Sequence, residues 1–368
     1  MKIALLSDCY PPRTGGIESQ VGDLAGQLQR AGHEVEVFTA TPGAKGERSG
    51  AIEMREGVMV HRMALHLPGD LPINPMAPPI VRKRLSGRGF DVAHVHLGVV
   101  SPFGWDMVRV ATGLQMPTLL TFHSVLDRAA MTFSRALRQW TDHGAILSAV
   151  SQFSAKGVRR AAPDVPIAIL PNGIDLAQWP VGTVRPHPRP VRVVTATRLA
   201  PRKRAGAMLR IVAEAHARLG PGALTLDVFG DGAMRDTLAA RAEGMGLGDV
   251  VRWRGQVPRE ELAGHYAEAD VYLSPSRLES FGIAALEART VGLPVIARAD
   301  SGVSEVVTDG VSGLLASNDS GLADALVRLV ADETLRTRIA RHNTSVAPMQ
   351  TWDRVVDLTV AEYRRAGA

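Results

Sequence analysis

Short runs of β-branched and aliphatic residues alternate along the chain with longer stretches in which apolar residues recur every three or four positions. The short runs predict strands at 2–7, 34–39, 91–96, 118–123, 144–150 and 166–170, then at 191–197, 225–229, 250–254, 271–273 and 294–297. The longer stretches predict helices at 17–31, 205–219, 322–330 and 334–340, and a last one over 351–363 with Trp352, Val355, Val356 and Tyr363 available for packing. Strand and helix in regular turn imply an α/β protein with parallel sheets covered on both faces. The rhythm breaks at 179–190, where Pro180, Pro186, Pro188 and Pro190 fall among few apolar residues, and the hinge between two domains is predicted there.

Length supports that division, because 368 residues exceed one ordinary core. The 45% hydrophobic and 21% charged content is that of a soluble globular chain. A lone Cys9 excludes a disulfide framework and reads as a packed residue, and the absence of an apolar N-terminal signal region predicts a cytoplasmic protein. No apolar run reaches the ~18 to 20 residues of a membrane-spanning helix. The net charge of +5 comes mostly from scattered arginines. One concentration, residues 79–88 with Arg82, Lys83, Arg84 and Arg88, fits either a solvated helix face or a peripheral contact with the anionic inner face of a membrane. Nothing accompanies the charge that would recognise nucleic acid.

The most informative segment is Glu279-Ser-Phe-Gly-Ile-Ala-Ala-Leu-Glu287, which follows the strand at 271–273 and begins a helix near Gly282. A helix's first turn has unpaired N–H groups and the positive end of the macrodipole, so Phe281, Gly282 and Ile283 mark a site for a diphosphate. If the segment is helical throughout, the two carboxylates stand ~12 Å apart. Glycosidase pairs stand roughly 5 to 9.5 Å apart and generally come from separate elements, so hydrolysis by this pair is not expected.

Cations come from another turn. The strand at 191–197 leads into Arg198-Leu-Ala-Pro-Arg-Lys203, at the strand edge where open α/β sheets bind ligands. Arg198 and Lys203 are placed to grip a diphosphate, and since the chain has no Asp-x-Asp, no metal is predicted under it. The loop Gly15-Gly16-Ile-Glu follows the first strand but lacks the spacing of a nicotinamide-cofactor fingerprint. Its adjacent glycines suit either close approach to a ligand or a plain tight turn. His94 and His96 share one strand face without a third metal ligand, and His96 reads as structural or as lining an acceptor cleft. His123 ends a strand at the same edge.

Seven segments, in order, then resemble the retaining GT-B glycosyltransferases of family 4, which include mannosyl- and N-acetylglucosaminyltransferases acting on phosphatidylinositol. They are Tyr10-Pro-Pro-x-x-Gly15-Gly16-Ile-Glu, Thr121-Phe-His123, Pro171-Asn-Gly-Ile-Asp175, Arg198-x4-Lys203, Phe229-Gly-Asp-Gly232, Pro275-Ser-x-x-Glu279-Ser-Phe-Gly-x4-Glu287 and Asp309-Gly-x-x-Gly313. The resemblance covers essentially the whole chain. One departure is Ser301-Gly302 where the family usually has two glycines.

The resemblance implies two Rossmann-like domains facing across a cleft. Residues 1–180 would bind the acceptor, 181–345 the nucleotide sugar, and a helix within 346–368 would cross back to the first domain. It implies transfer of mannose, glucose or N-acetylglucosamine from a UDP- or GDP-sugar to an acceptor hydroxyl, lipid-linked or glycan, by a monomer or weak homodimer without a cofactor. Arg198 and Lys203 would hold the diphosphate, Glu279 the transferred sugar and Glu287 the ribose. Phe281, Gly282 and Ile283 would offer backbone N–H groups, and Val257 would contact the base. Gly15 and Gly16 would close over the phosphates, Asn172 and Gly230 would complete the donor site, and His123 would lie beside the reacting carbon. Closure about 179–190 would exclude water. A sugar-nucleotide epimerase, a GT-B phosphorylase, a transferase for a small secondary metabolite and a non-catalytic binding subunit share the architecture.

Overall fold

The computed structural model describes residues 1–67, 71–126, 128–182 and 190–368, with the backbone alone at 128–130. The chain forms two compact units, Met1–Gly173 together with Gln350–Ala368, and Ile174–Met349. Most of the predicted hinge, residues 183–189, lies outside the described residues.

In the first unit the strands are β1 (Lys2–Ser7), β2 (Glu34–Thr39), β3 (Ile52–Arg55), β4 (Val58–Arg62), β5 (Val92–Leu97), β6 (Thr118–Phe122), β7 (Ala145–Ala149) and β8 (Ile167–Ile169). They form one sheet in the order β3-β4-β2-β1-β5-β6-β7-β8, parallel except where β3 runs against β4. Side chains alternate across it. Ile3 and Leu5 of β1 join a core with α1 (Gly16–Arg30) and the C-terminal helix, whereas Ala4 and Leu6 face a second core on the other side. That second core is built with α2 (Ala77–Gly87), α3 (Pro102–Gly113), α4 (Ser134–Asp142) and α5 (Gln152–Ala161).

The second unit contains β9 (Val191–Ala196), α6 (Ala205–Leu219), β10 (Leu224–Phe229), α7 (Arg235–Gly244), β11 (Val251–Gly255), α8 (Arg259–Ala267), β12 (Val271–Ser274), α9 (Ile283–Val291), β13 (Val295–Arg298), β14 (Gly313–Ala316), α10 (Asp319–Ala331) and α11 (Glu333–Ser345). Its parallel sheet has the order β11-β10-β9-β12-β13-β14. In each sheet the chain starts at a central strand, builds outward on one side, then returns to build on the other. The switch points lie between β1 and β5 and between β9 and β12, and crevices at such points, outside the strands' carboxyl ends, are where open α/β sheets take ligands.

The β3–β4 hairpin and β14 were not expected from the sequence. β3 is exposed or half-buried along its length, and β14 opens on Gly313, so neither shows the adjacent β-branched or aromatic residues that mark the equally short β12 and β13. The basic segment is helical: α2 begins with Ala77-Pro78-Pro79, prolines being acceptable where a first turn has no N–H bond to lose.

The last helix, α12 (Trp352–Arg365), belongs to the first unit. Trp352, Val355, Val356, Val360 and Tyr363 pack with Val21, Leu24 and Leu28 of α1 and with Ile3 and Leu5 beneath them. The Trp352 ring lies against Gly173. Trp352→Ala is expected to cost the first unit roughly 3–5 kcal/mol. Urea unfolding checks this, and an unchanged midpoint for that unit's transition would show that α12 contributes no packing energy.

Candidate functional site

In the second unit two loops flank the β9–β12 switch point. After β9 the chain passes exposed Arg198 and makes a short 3-10 turn over Pro201–Lys203. Arg204 then takes a left-handed conformation (φ 58°) and starts α6. Its guanidinium donates to the Pro275 carbonyl at 3.1 Å and forms two bonds of 2.9 and 2.8 Å with Asp319. This ties the β9–α6 turn to the loop that follows β12.

Lys203 Nζ is thereby held 2.7 Å from Glu279 Oε2. Both side chains are partly exposed and accessible to a ligand. Three residues after Glu279, Gly282 caps α9 with φ 91°, a conformation costly for residues with a Cβ, and no side chain caps the helix there. The first intrahelical bond runs from Leu286 N–H to the Gly282 carbonyl (2.9 Å), so the N–H groups of Ile283, Ala284 and Ala285 have no acceptor within the helix. Phe281 anchors the turn by burying its ring.

The Glu279–Phe281 segment rests on Gly302. Gly302 N–H donates to the Glu279 carbonyl at 2.7 Å, and a Cβ at 302 would collide with the Ser280 carbonyl. Ser301 is fully buried; its hydroxyl donates to the Arg298 carbonyl (2.8 Å) and accepts from Val303 N–H (3.3 Å). The serine at this departure from the family pattern is thus engaged inside its own loop.

Glu287 lies on α9, buried, with Arg259 Nε 3.0 Å from its Oε1. Arg259 begins α8, two residues beyond half-buried Val257, and also lies over the Trp179 ring at 5.7 Å. Arg259 was not singled out from the sequence. The only signal was its position directly after Val257-Pro258, which does not reveal that the α8 start meets α9. Gly230 follows β10, and its N–H donates to the Gly255 carbonyl at 2.7 Å.

In the first unit, Gly15 is the N-cap of α1 and Gly16 its first residue, directly after the β1 loop. His123 follows β6, its N–H bonded to the Leu97 carbonyl at 2.9 Å. Asn172 is buried beside Gly173, which Gln20 of α1 grips through both its N–H (2.9 Å) and its carbonyl (3.1 Å). Gln20, His96, His123, Asn172 and Trp352 line a cavity of about 20 Å³. That is about the space one water molecule needs.

The sheet face above this cavity is polar. Ser148 Oγ donates to the Leu120 carbonyl at 3.0 Å, which uses its only proton. Thr121 Oγ1, 2.7 Å away, must therefore donate to Ser148 and accept from His94 Nε2–H at 2.7 Å. His94 Nδ1 is left to accept the Tyr363 hydroxyl at 2.8 Å. Both His94 nitrogens are occupied, which removes the His94–His96 metal pair, and no three-ligand metal cluster occurs among the described residues. His96 stacks on His94 with centroids 4.0 Å apart, and its Nδ1 lies 2.9 Å from His123 Nε2.

Burial holds all three imidazoles neutral. It pushes His94 down to about 3 and His123 to about 4, and it holds His96 well below the ordinary histidine value. On acidification the unfolded chain protonates these rings near pH ~6.5 while the folded unit does not, so their stabilisation is complete above that pH and falls below it by ~1.4 kcal/mol per pH unit for each ring. Buried His61 acts in the same direction. Asp8, buried at the start of α3 where it accepts from Phe103 N–H (3.0 Å) and Gly104 N–H (3.2 Å), is pushed up to about 7 by burial. It gains stability as pH falls and offsets one histidine. Unfolding free energy of the first unit is expected to drop between about pH 6.5 and about pH 5, before most carboxylates titrate. A flat urea-unfolding profile over that interval would contradict the neutral rings.

The family described as Glycosyltransferase Family 4 matches residues 14–178, and that described as Glycosyl transferases group 1 matches residues 185–345. The chain is similar to a GDP-mannose-dependent alpha-(1-6)-phosphatidylinositol monomannoside mannosyltransferase of Mycolicibacterium smegmatis, 29% identical over 89% of this chain and 88% of the relative. A D-inositol 3-phosphate glycosyltransferase of Kineococcus radiotolerans is 29% identical over 96% of this chain and 91% of its own length. Among solved structures, Anabaena HepE in complex with UDP and glucose shares the fold with a TM-score of 0.75 at 19% identity, with 100% of both chains covered.

Proposed function

Within the family 4 glycosyltransferases of GT-B fold, to which this chain belongs, we propose that it is a retaining, metal-independent hexosyltransferase. It moves a mannosyl, glucosyl or N-acetylglucosaminyl unit from a UDP- or GDP-sugar to an acceptor hydroxyl. The observation that carries this reading is the 2.7 Å contact between Lys203 and Glu279 directly ahead of the uncapped α9 N-terminus. A carboxylate beside a cation suits a ligand in which sugar hydroxyls adjoin a phosphate. Glu287, on the same helix and steadied by Arg259, suits the ribose diol.

Transfer breaks the bond between the anomeric carbon and the β-phosphate oxygen, so negative charge grows on the leaving diphosphate and positive charge on the ring. Arg198, Lys203 and the first-turn N–H groups of α9 stabilise the growing negative charge more than the ground state, which accelerates departure. Glu279 accepts hydrogen bonds from the sugar. The acceptor oxygen bonds to the anomeric carbon on the face the phosphate leaves, and its proton passes to the departing phosphate oxygen. No enzymic nucleophile enters, and configuration is retained.

The acceptor is proposed to be a hydroxyl on a phosphate-bearing, inositol-type compound, the class named for both curated relatives. Helix α2 supports a peripheral place at an anionic membrane face: Arg82 and Lys83 are exposed, Val81 and Leu85 are buried, and its first turn has no acidic residue. No helix among the described residues is long and apolar enough to cross a membrane.

Incubation with a panel of UDP- and GDP-sugars, with and without inositol phosphates or phosphatidylinositol vesicles, followed by mass spectrometry, tests this reading. Altered sugar in the absence of acceptor would replace transfer by epimerisation. Lys203→Ala and Arg198→Ala are each expected to lower kcat by roughly 10²–10³-fold with the fold intact by circular dichroism. Near-normal turnover in either variant would remove that residue from the mechanism. Transfer is expected to continue undiminished in excess EDTA, and a rate restored only by added divalent ion would overturn metal independence.

A further inference from the structure

We propose that His96 is a positioning residue that fixes His123 as the tautomer protonated on Nδ1, so that His123 presents an N–H donor, rather than a proton-accepting nitrogen, to its ligand. This rests on the reading above for the part His123 plays in transfer. The tautomer itself follows from the hydrogen bonds of the first unit alone.

His96 Nδ1 and His123 Nε2 stand 2.9 Å apart, and two neutral rings at that distance share one proton. If His123 donated, His96 would have to carry its own proton on Nε2, which is buried and has no hydrogen-bond partner among the described residues. An N–H enclosed without an acceptor is rarer in proteins than an unused acceptor. The lower-cost arrangement has His96 Nδ1–H donating to His123 Nε2, with only a lone pair unused at His96 Nε2. His123 must then carry its proton on Nδ1.

Neighbouring groups hold this arrangement in place. His94 cannot rotate to offer His96 another partner, because its nitrogens are committed to Tyr363 and Thr121 and that chain of donors ends on the Leu120 carbonyl. His96 is pinned between the His94 ring at 4.0 Å and the His123 ring at 5.1 Å. With its Nε2 lone pair used by His96, His123 has no free basic nitrogen. It can grip a sugar or phosphate oxygen but cannot deprotonate the acceptor hydroxyl, which leaves that proton to the departing phosphate.

Two measurements test the assignment. In ¹⁵N-histidine-labelled full-length protein, long-range correlations from the ring C–H protons to the ring nitrogens at neutral pH are expected to show the N–H proton on Nδ1 of His123 and of His96 and on Nε2 of His94. Protonation of His123 on Nε2 would overturn the proposal, and this readout needs no turnover, so it stands even if the transferase reading fails. In the transfer assay, His96→Leu is expected to lower kcat by roughly 10- to 100-fold while the donor KM changes little, and His96→Asn, whose amide N–H can occupy the Nδ1 position, recovers part of the loss. Full kcat in His96→Leu, or an equal loss in both variants with His123 still protonated on Nδ1, would show that His96 only fills space.

Discussion

The contact between Lys203 and Glu279 joins two turns that follow different strands, and the arrangement of the second unit's loops at this sheet edge depends on it. It exists because β9 and β12 are parallel neighbours at the point where the sheet reverses its building direction. Their following loops leave the same edge side by side, and Arg204 fastens one to the other through the Pro275 carbonyl. The helix start that follows the carboxylate then adds backbone donors that have no acceptor within the helix. Cation, carboxylate and helix dipole come together by topology.

The first unit solves a different problem, the burial of His94, His96 and His123 side by side along β5 and at the end of β6. Ionised imidazoles would be costly there, so the rings stay neutral, and each proton must find an acceptor. One chain of donors runs from Tyr363 through His94, Thr121 and Ser148 to a backbone carbonyl, leaving no choice of tautomer along it. The remaining bond, between His96 and His123, is the only one whose direction is not set by that chain. Its direction follows instead from the unpartnered Nε2 of His96. Tyr363 comes from α12, so the terminal helix both closes the core and supplies the first donor.

Much of the architecture was legible because short segments rich in aliphatic residues, such as Lys2–Ser7 with its run Ile3–Leu6 and Leu224–Phe229 with Leu224, Leu226 and Val228, recur between longer helical stretches and so read as buried strands. The four-residue strands β3 and β14 were not legible, since they owe their pairing to neighbours already in place. The motif at Glu279–Glu287 could be read as a helix start because Gly282 interrupts a strand-to-helix passage. Its ion partners could not. Arg259 is remote in sequence from Glu287, and nothing local distinguishes it from the chain's other arginines. Likewise the same-face alternation of His94 and His96 was visible, and the missing third ligand already spoke against a metal, but that the hydroxyls of Thr121 and Tyr363 occupy both nitrogens of His94 was not legible.

The sequence by itself determined the alternation of strands and helices, the place of the helix start at Gly282 and the family, because these rest on local periodicity, backbone chemistry and motif order. Only the tertiary structure decided which cation faces which carboxylate and which nitrogen of each histidine carries its proton. Such choices depend on atoms brought within about 3 Å by strands and helices far apart in the chain, and a hydrogen bond has no sequence signature until both of its ends are in place.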